Sequence, residues 1–161
     1  MPEPQSCQSC EAIAGRISLT NVPRIYEGRH WTVEHVHPTN ILGWLVIVAR
    51  QHRSAIHELT VEEHRAFGLL LPAVCRALHD TLGTQKEYVL QIAEKPGFNH
   101  VHYHVIARRP DWPDDWVAFG CFDQMGDHLP SPLSTEAIQP TTERIGTILK
   151  GGNSLAEENN Q

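Results

Sequence analysis

The spacing of apolar residues changes several times along the chain, and each change marks an element. From Trp31 to Val36 apolar and polar residues alternate, and Leu45 to Val48 form a compact β-branched run following Gly43. Both read as strands of one sheet, because side chains on an extended chain point alternately to opposite faces. Tyr88 to Ile92 and Val101 to Ile106 predict two further strands, separated by the turn-forming Lys95-Pro96-Gly97. Between these pairs the period lengthens, and Phe67, Leu70, Leu71, Val74, Leu78 and Leu82 recur at helical spacing. Thr60 and Glu63 stand in the relation of a capping box at its start, and Gly83 marks its end. Pro72 falls inside this helix; it removes one backbone donor and crowds the preceding turn, so a kink is expected there.

Strands and a long helix that come in runs, without strict βαβ alternation, favour an α+β fold with an antiparallel sheet and the helix lying on it. Beyond Arg109 the composition shifts to Pro, Asp and Trp, and only Pro140 to Lys150 again reads as helical, with Pro at its start and Gly151 at its end. Residues 151–161 are expected to be disordered. The chain thus divides into a domain over residues 1–126 and a partly helical extension over residues 127–161. With 161 residues and 40% hydrophobic content it can bury one ordinary core.

Charge and cysteine usage narrow the functions. A net charge of -6 argues against a broad grip on nucleic acid, which rests on neutralising many phosphates, but leaves room for a local pocket for one small anion. The N-terminus lacks a charged segment followed by an apolar stretch, and no later run approaches the roughly 18 apolar residues of a membrane helix. A soluble, cytoplasmic protein is expected. Cys7, Cys10, Cys75 and Cys121 do not form the dense framework of a small secreted domain, which fits a reducing compartment. Cys75, in the helical pattern, and Cys121, between Gly120 and Phe122, read as small hydrophobes.

The most informative segment is Asn99-His100-Val101-His102-Tyr103-His104-Val105-Ile106. On a strand the three imidazoles would share one face, with Val101, Tyr103 and Val105 holding the other to the core. Same-face neighbours lie about 7 Å apart, so His100 and His104 are about 14 Å apart at the backbone, too far for all three to bind one ion easily. Two neighbours could share a metal, leaving the third another purpose. A polar sheet face without a chemical task is the bland alternative. Near pH 7 imidazole is largely neutral and carries a free lone pair, so it can attack phosphorus. Such a nucleophile needs its Nδ1–H held by an acceptor so that Nε2 faces the substrate, and a neighbouring histidine can donate to a phosphoryl oxygen.

The run His100-Val101-His102-Tyr103-His104-Val105-Ile106 resembles the signature of the histidine triad family, His-φ-His-φ-His-φ-φ. The likeness extends in family order through Cys7-Gln8-Ser9-Cys10, Ile25-Tyr26-Glu27, Leu45-Val46-Ile47-Val48, Gln51-His52, Leu59-Thr60-Val61-Glu62-Glu63, Pro96-Gly97-Phe98 and Arg108. It implies an α+β fold in which an antiparallel sheet packs with one long helix and a short N-terminal helix, often as a homodimer. It also implies hydrolysis or transfer at the α-phosphorus of a nucleotidyl compound, such as a dinucleoside polyphosphate or nucleoside phosphoramidate, through a covalent nucleotidyl-histidine. His102 would be the nucleophile and His104 the donor to the α-phosphate. The zinc-containing bacterial type of the family further implies a structural zinc on Cys7, Cys10, His52 and His100, and no organic cofactor. Small nucleotides are the implied partners, with no extended nucleic acid and no membrane.

Three positions depart from the family pattern. The acidic residue that meets the ribose hydroxyls falls at His35, with Glu34 adjacent, so both are candidates for substrate binding. A histidine that would join the active-site network is replaced by Trp44, which reads as a packing residue. The polar residue that assists the leaving group falls at Pro96, for which Asn99 is the candidate substitute in catalysis and binding. A regulatory nucleotide-binding module with little turnover, and a hydrolase using zinc-activated water, are the competing readings. Trp112 and Trp116 read as packing over the core or, alternatively, as walls of the nucleotide pocket.

Overall fold

The computed structural model describes residues 7–152 and residue 155. Five strands, β1 (Tyr26–Glu27), β2 (Trp31–His35), β3 (Trp44–Ala49), β4 (Lys86–Leu90) and β5 (His102–Arg108), form one sheet in the order β1-β2-β3-β5-β4. Every neighbouring pair is antiparallel. Among the described residues three α-helices, α1 (Gln8–Ile13), α2 (Val61–Leu82) and α3 (Thr135–Gly151), complete the fold together with short 3-10 turns. The α+β architecture expected from the sequence, with one long helix and a short one at the N-terminus, is what the chain adopts.

The register divides the sheet into two chemically distinct faces. Val33 pairs with Ile47, His35 with Leu45, and Leu45 with Val105, which sets one apolar row after another on the first face. There Val33, Leu45, Ile47 and Val105 are wholly buried against Ala66, Leu70, Val74, Ala77 and Leu78 of α2. Those helical residues recur at three- and four-residue intervals, so they form the stripe that α2 must bury. Its start is closed reciprocally: Thr60 Oγ1 accepts from the Glu63 N–H at 3.1 Å, and the Glu63 carboxylate accepts from the Thr60 N–H at 2.7 Å. Its end is Gly83, whose φ of 64° is open to glycine at little cost. The helix runs unbroken through Pro72, which leaves the Gly68 carbonyl without its helical donor.

Several boundaries differ from the expected ones, each for a local reason. β1 is too short to show a period and is held by the Ile25 N–H donating to Val33 O at 2.9 Å. β4 starts at Lys86 rather than Tyr88 and ends before Ile92; as an edge strand it carries exposed and charged residues that hide its alternation. α3 begins at Thr135 rather than Pro140, because Ser134 caps it through the Ala137 N–H, and Pro140 lies inside the helix. β5 begins at His102, so the three histidines do not form one row. The chain turns tightly just before the strand, with the His100 N–H on Phe98 O at 2.7 Å and the Val101 N–H on Arg53 O at 2.7 Å.

α3 packs on α2 and on β1, and its Ile145 and Leu149, with Leu155 beyond it, join the same core as α2 and the sheet. A Cβ on Gly146 would stand only 3.1 Å from the Ile25 carbonyl oxygen, so glycine there permits the close approach of α3 to the chain entering β1. Of the tail expected to be disordered, residues 153, 154 and 156–161 lie outside the described residues, whereas Leu155 is buried. Among the described residues no helix is long and apolar enough to cross a membrane. Replacing Thr60 by Ala removes one half of the reciprocal cap, and urea unfolding should report a loss of about 1 kcal/mol.

Candidate functional site

The second sheet face carries the polar chemistry. Glu34 pairs with Val46, Val46 with His104 and His104 with Leu90, so these four side chains form one row across four strands. Val48 pairs with His102 and places it in the next row. The lower part of this face is covered by the segment after β5, where Trp112 and Cys121 pack with Ile41, Trp44 and Ile106. The upper part opens into a cavity of about 390 Å³ bordered by His102, His104, Glu34, Phe122, Met125 and Lys95 among others.

Within the cavity the two imidazoles stand edge to face, their centroids 5.1 Å apart. His102 Nδ1 lies 2.7 Å from the His100 carbonyl oxygen, an acceptor only, so Nδ1 carries the proton and Nε2 keeps its lone pair. His104 is set the opposite way. The Trp44 indole N–H, a donor only, reaches His104 Nδ1 at 2.9 Å, so Nδ1 accepts and the proton of the neutral ring sits on Nε2. Burial lowers the pKa of His102, and burial with His102 alongside lowers that of His104 to about 4, so both rings are held neutral.

Glu34 borders the cavity on the histidine row, and its carboxylate accepts from Arg24 Nε at 2.7 Å. Arg24 also bonds the Glu27 carboxylate and the Ala12 carbonyl, tying α1, β1 and β2 together behind the site. His35 also borders the cavity but belongs by register to the opposite row, beside Leu45. Its ring is 1% exposed, with Nδ1 on the Val36 carbonyl at 2.7 Å and Nε2 accepting from the Gly43 N–H at 3.1 Å. Both nitrogens are therefore spent on the backbone. Asn99 lines an adjoining hollow with Ser54, His57 and His64, which shares Ile92, Ala93 and Glu94 with the cavity of His102 and His104. Trp112 and Trp116 stack edgewise 6.0 Å apart and do not border the cavity, which makes them packing residues.

Several lining residues of the cavity carry no signal in the sequence pattern, and Trp44 has a contact beyond packing. His37 and Lys95 border the cavity, and His37 Nδ1 is buried without a hydrogen-bond partner among the described residues. Trp44, read as packing, is indeed wholly buried, but it also belongs to the polar network through His104. The signal for it lies only in the register. Trp44 pairs with Ile106, so His104 is its diagonal neighbour, within reach of a long aromatic side chain.

A second cluster lies on the far side of His100. The donor atoms of Cys7, Cys10, His52 and His100 all fall within 4.8 Å of one another. His100 Nδ1 is 3.3 Å from Cys7 Sγ, 3.5 Å from Cys10 Sγ and 3.3 Å from His52 Nδ1, and Cys10 Sγ is 3.4 Å from His52 Nδ1. Ligands about 2.0–2.3 Å from a tetrahedral ion are spaced in this way, and two thiolates with two imidazoles suit zinc. The outer contacts agree with that use. His100 Nε2 donates to Ala49 O at 2.6 Å, which leaves Nδ1 its lone pair. The loop bearing His52 is pinned by Arg53, whose carbonyl accepts from Val101 and whose guanidinium meets Glu63 at the start of α2. Burial and the neighbouring Cys7 push the Cys10 thiol up to about 11, a shift that a bound cation would reverse.

An antiparallel sheet backed by one long helix, with paired histidines in a cavity and a Cys₂His₂ cluster beside it, defines the class of protein. No family model and no curated protein matches the chain. Among solved structures it is similar to a hypothetical histidine triad nucleotide-binding protein from Sulfolobus tokodaii, with a TM-score of 0.67 and 16% identity over 89% of this chain and 92% of that one. It is similar also to a Hit-like protein involved in cell-cycle regulation from Bartonella henselae, with a TM-score of 0.63 and 14% identity over 86% and 92% of the two chains. A Zn-bound histidine triad family protein from Mycobacterium smegmatis aligns with a TM-score of 0.57 and 20% identity over 94% of each. The chain has the histidine triad fold, as the resemblance in its sequence implied.

The two most strongly perturbed histidines give the site a pH signature. Burial depresses the folded-state pKa of His35 and His104 from 6.5 to about 4, so between those values the unfolded chain binds more protons than the folded one. Stability therefore falls as pH drops from 6.5 towards 4, each ring adding a slope of at most about 1.4 kcal/mol per pH unit. Urea unfolding across that range should show a shallower slope for His35→Leu than for the parent chain. Equal slopes would mean that His35 is not held neutral.

Proposed function

We propose that this chain is a histidine triad protein of the zinc-containing type that hydrolyses or transfers nucleotidyl groups at the α-phosphorus. The observation that carries this reading is the opposed setting of two neighbouring rings in one cavity: His102 with a free Nε2 lone pair, His104 with an Nε2–H. One is a nucleophile and the other a hydrogen-bond donor to the oxygen that gains charge. In the first step His102 Nε2 forms a bond to phosphorus while the bond to the leaving group breaks, and the leaving group takes the electron pair and a proton from water. The ring then bears positive charge, which the Nδ1–H bond to the His100 carbonyl spreads. In the second step a water oxygen bonds to phosphorus, the N–P pair returns to Nε2, and the proton of the water passes to solvent.

The cavity volume, about 390 Å³, lies within the roughly 300–1,000 Å³ of small-molecule sites and suits a mononucleotidyl unit. Apolar walls such as Val46, Phe122 and Met125 suit a base, and Glu34, held in place by Arg24, suits the ribose hydroxyls better than His35, whose nitrogens are occupied. Dinucleoside polyphosphates and nucleoside phosphoramidates both offer such a unit on a stable leaving group. The chemistry needs no organic cofactor.

Cys7, Cys10, His52 and His100 would hold the zinc, which supplies a cross-link between the N-terminus and the strand rather than a reaction centre. Four protein ligands leave no open position for water, which weighs against a metal-hydroxide mechanism. A cytoplasmic homodimer completes the reading: the dimer rests on the resemblance, and the compartment on the cysteine usage.

His102→Ala should lose turnover of a nucleotidyl panel by several orders of magnitude while retaining nucleotide binding, and mass spectrometry of the parent chain should find a nucleotidyl adduct on His102. Binding without any turnover in the parent chain would instead favour a regulatory module. Stripping metal with a strong chelator should lower the unfolding temperature before it lowers activity at a temperature where the fold persists. Immediate loss of turnover in a still-folded protein would point to a catalytic metal.

A further inference from the structure

We infer that Trp44 is a positioning residue whose indole N–H sets the tautomer of His104, so that the ring presents only an Nε2–H to the cavity. This deepens the reading of the site given above and rests on it. An indole nitrogen can donate and cannot accept, so the contact at 2.9 Å is a hydrogen bond only if His104 Nδ1 supplies the lone pair. In neutral imidazole the proton must then be on Nε2. A carboxylate or carbonyl in place of Trp44 would draw the proton to Nδ1 and turn a second lone pair towards the phosphoryl oxygens, which repel it. A hydroxyl or another imidazole could serve either way and would leave the choice open.

The surroundings of Trp44 allow the indole little freedom. It is wholly buried, stands edge to face with His104 at 5.9 Å and with Phe122 at 5.7 Å between ring centroids, and packs with Ile41 and Ile106. Its backbone is fixed on both sides. The Val36 N–H donates to its carbonyl at 2.8 Å, and the preceding Gly43 has a φ of 86° with no room for a side chain, since a Cβ would lie 2.5 Å from Leu82 Cδ1 and 2.8 Å from Ala107 Cβ. The Gly43 N–H is meanwhile held by His35 Nε2. His35, Gly43 and Trp44 therefore form a chain of contacts that ends on the ring nitrogen of His104. His102 receives the complementary instruction from a backbone carbonyl, and the two rings leave their partners with opposite polarity.

The test reads the tautomer directly and then its effect on rate. In the ¹⁵N-labelled parent chain, long-range nitrogen–proton spectra should show His104 with a pyridine-type Nδ1 and a pyrrole-type Nε2, and a coupling across the hydrogen bond between Trp44 Nε1 and His104 Nδ1. A pyrrole-type Nδ1 overturns the inference, and this measurement needs neither a variant nor turnover. Trp44→Phe keeps an aromatic ring and removes the N–H. Its His104 signals should move to a mixture of tautomers, and kcat should fall about tenfold, the size of one neutral hydrogen bond, with KM changing less than twofold. In a His104→Ala background the same change should cost no further kcat, a non-additivity that loss of packing alone would not produce. Unchanged kcat and an unchanged His104 tautomer in Trp44→Phe also overturn it. A parent chain with the expected tautomer but no turnover would defeat the proposed activity while leaving the assignment of the ring intact.

Discussion

The pairing register of β3 is the constraint on which the rest of the molecule depends. β3 is flanked by β2 and β5, and it sets Val46 opposite both Glu34 and His104 while setting Leu45 and Ile47 against the α2 face. Because side chains alternate, a slip of β3 by one residue would bring Leu45 and Ile47 to the cavity and turn Trp44, Val46 and Val48 under the helix. The slip is opposed at both ends of the strand. At one end the Gly43 N–H is held by His35; at the other the Ala49 N–H donates to Val101 O at 3.1 Å, and Ala49 O accepts from the His100 ring. Fold and site are thus specified by the same pairing.

How much of this is legible in the sequence follows from whether a feature is periodic or pairwise. α2 is legible because its apolar stripe repeats over many turns between a capping box and a left-handed glycine. The central strands are legible for the same reason, whereas β4 is blurred at its start by Lys86 and Glu87, charges that an edge strand tolerates. Pro140 misplaces the start of α3 because proline favours a first turn, yet Ser134 supplies a better cap earlier in the chain. The histidine pattern marks where the polar cluster lies but misleads as geometry. Alternation predicts three rings in a row, and only the backbone contacts of Phe98 and Arg53 reveal that His100 leaves the strand. The choice between Glu34 and His35, and the bond from Trp44 to His104, need the register across three strands, which no local pattern contains.

The electrostatic setting of the cavity has a thermodynamic cost that other contacts must offset. Burying His35, His102 and His104 as neutral rings forfeits the proton each would take in water at mildly acidic pH. Each ring recovers part of that cost through a specific partner: His35 through Val36 and Gly43, His102 through the His100 carbonyl, His104 through Trp44. Without such partners a buried imidazole nitrogen would lose its hydrogen bond to water with nothing in return, at roughly 1–3 kcal/mol. Burial keeps the rings neutral while these contacts set their tautomers, which is why His102 and His104 can present opposite polarity though they stand only two positions apart in the chain.

His100 joins the two clusters and explains their proximity. Its ring faces Cys7, Cys10 and His52, its Nε2–H holds Ala49 at the end of β3, and its carbonyl receives the Nδ1–H of His102. The carbonyl can act as a fixed acceptor only if the peptide between His100 and Val101 is itself held, and the bonds from Val101 to Arg53 and from Ala49 to Val101 hold it. A metal on the four ligands would brace the same peptide from the ring side and would join residues far apart in sequence, Cys7 and Cys10 with His100. Cross-links over so long a loop remove much of the freedom of the unfolded chain. A metal held there would serve the cavity without touching it, by stiffening the residue whose carbonyl sets which nitrogen of His102 is free.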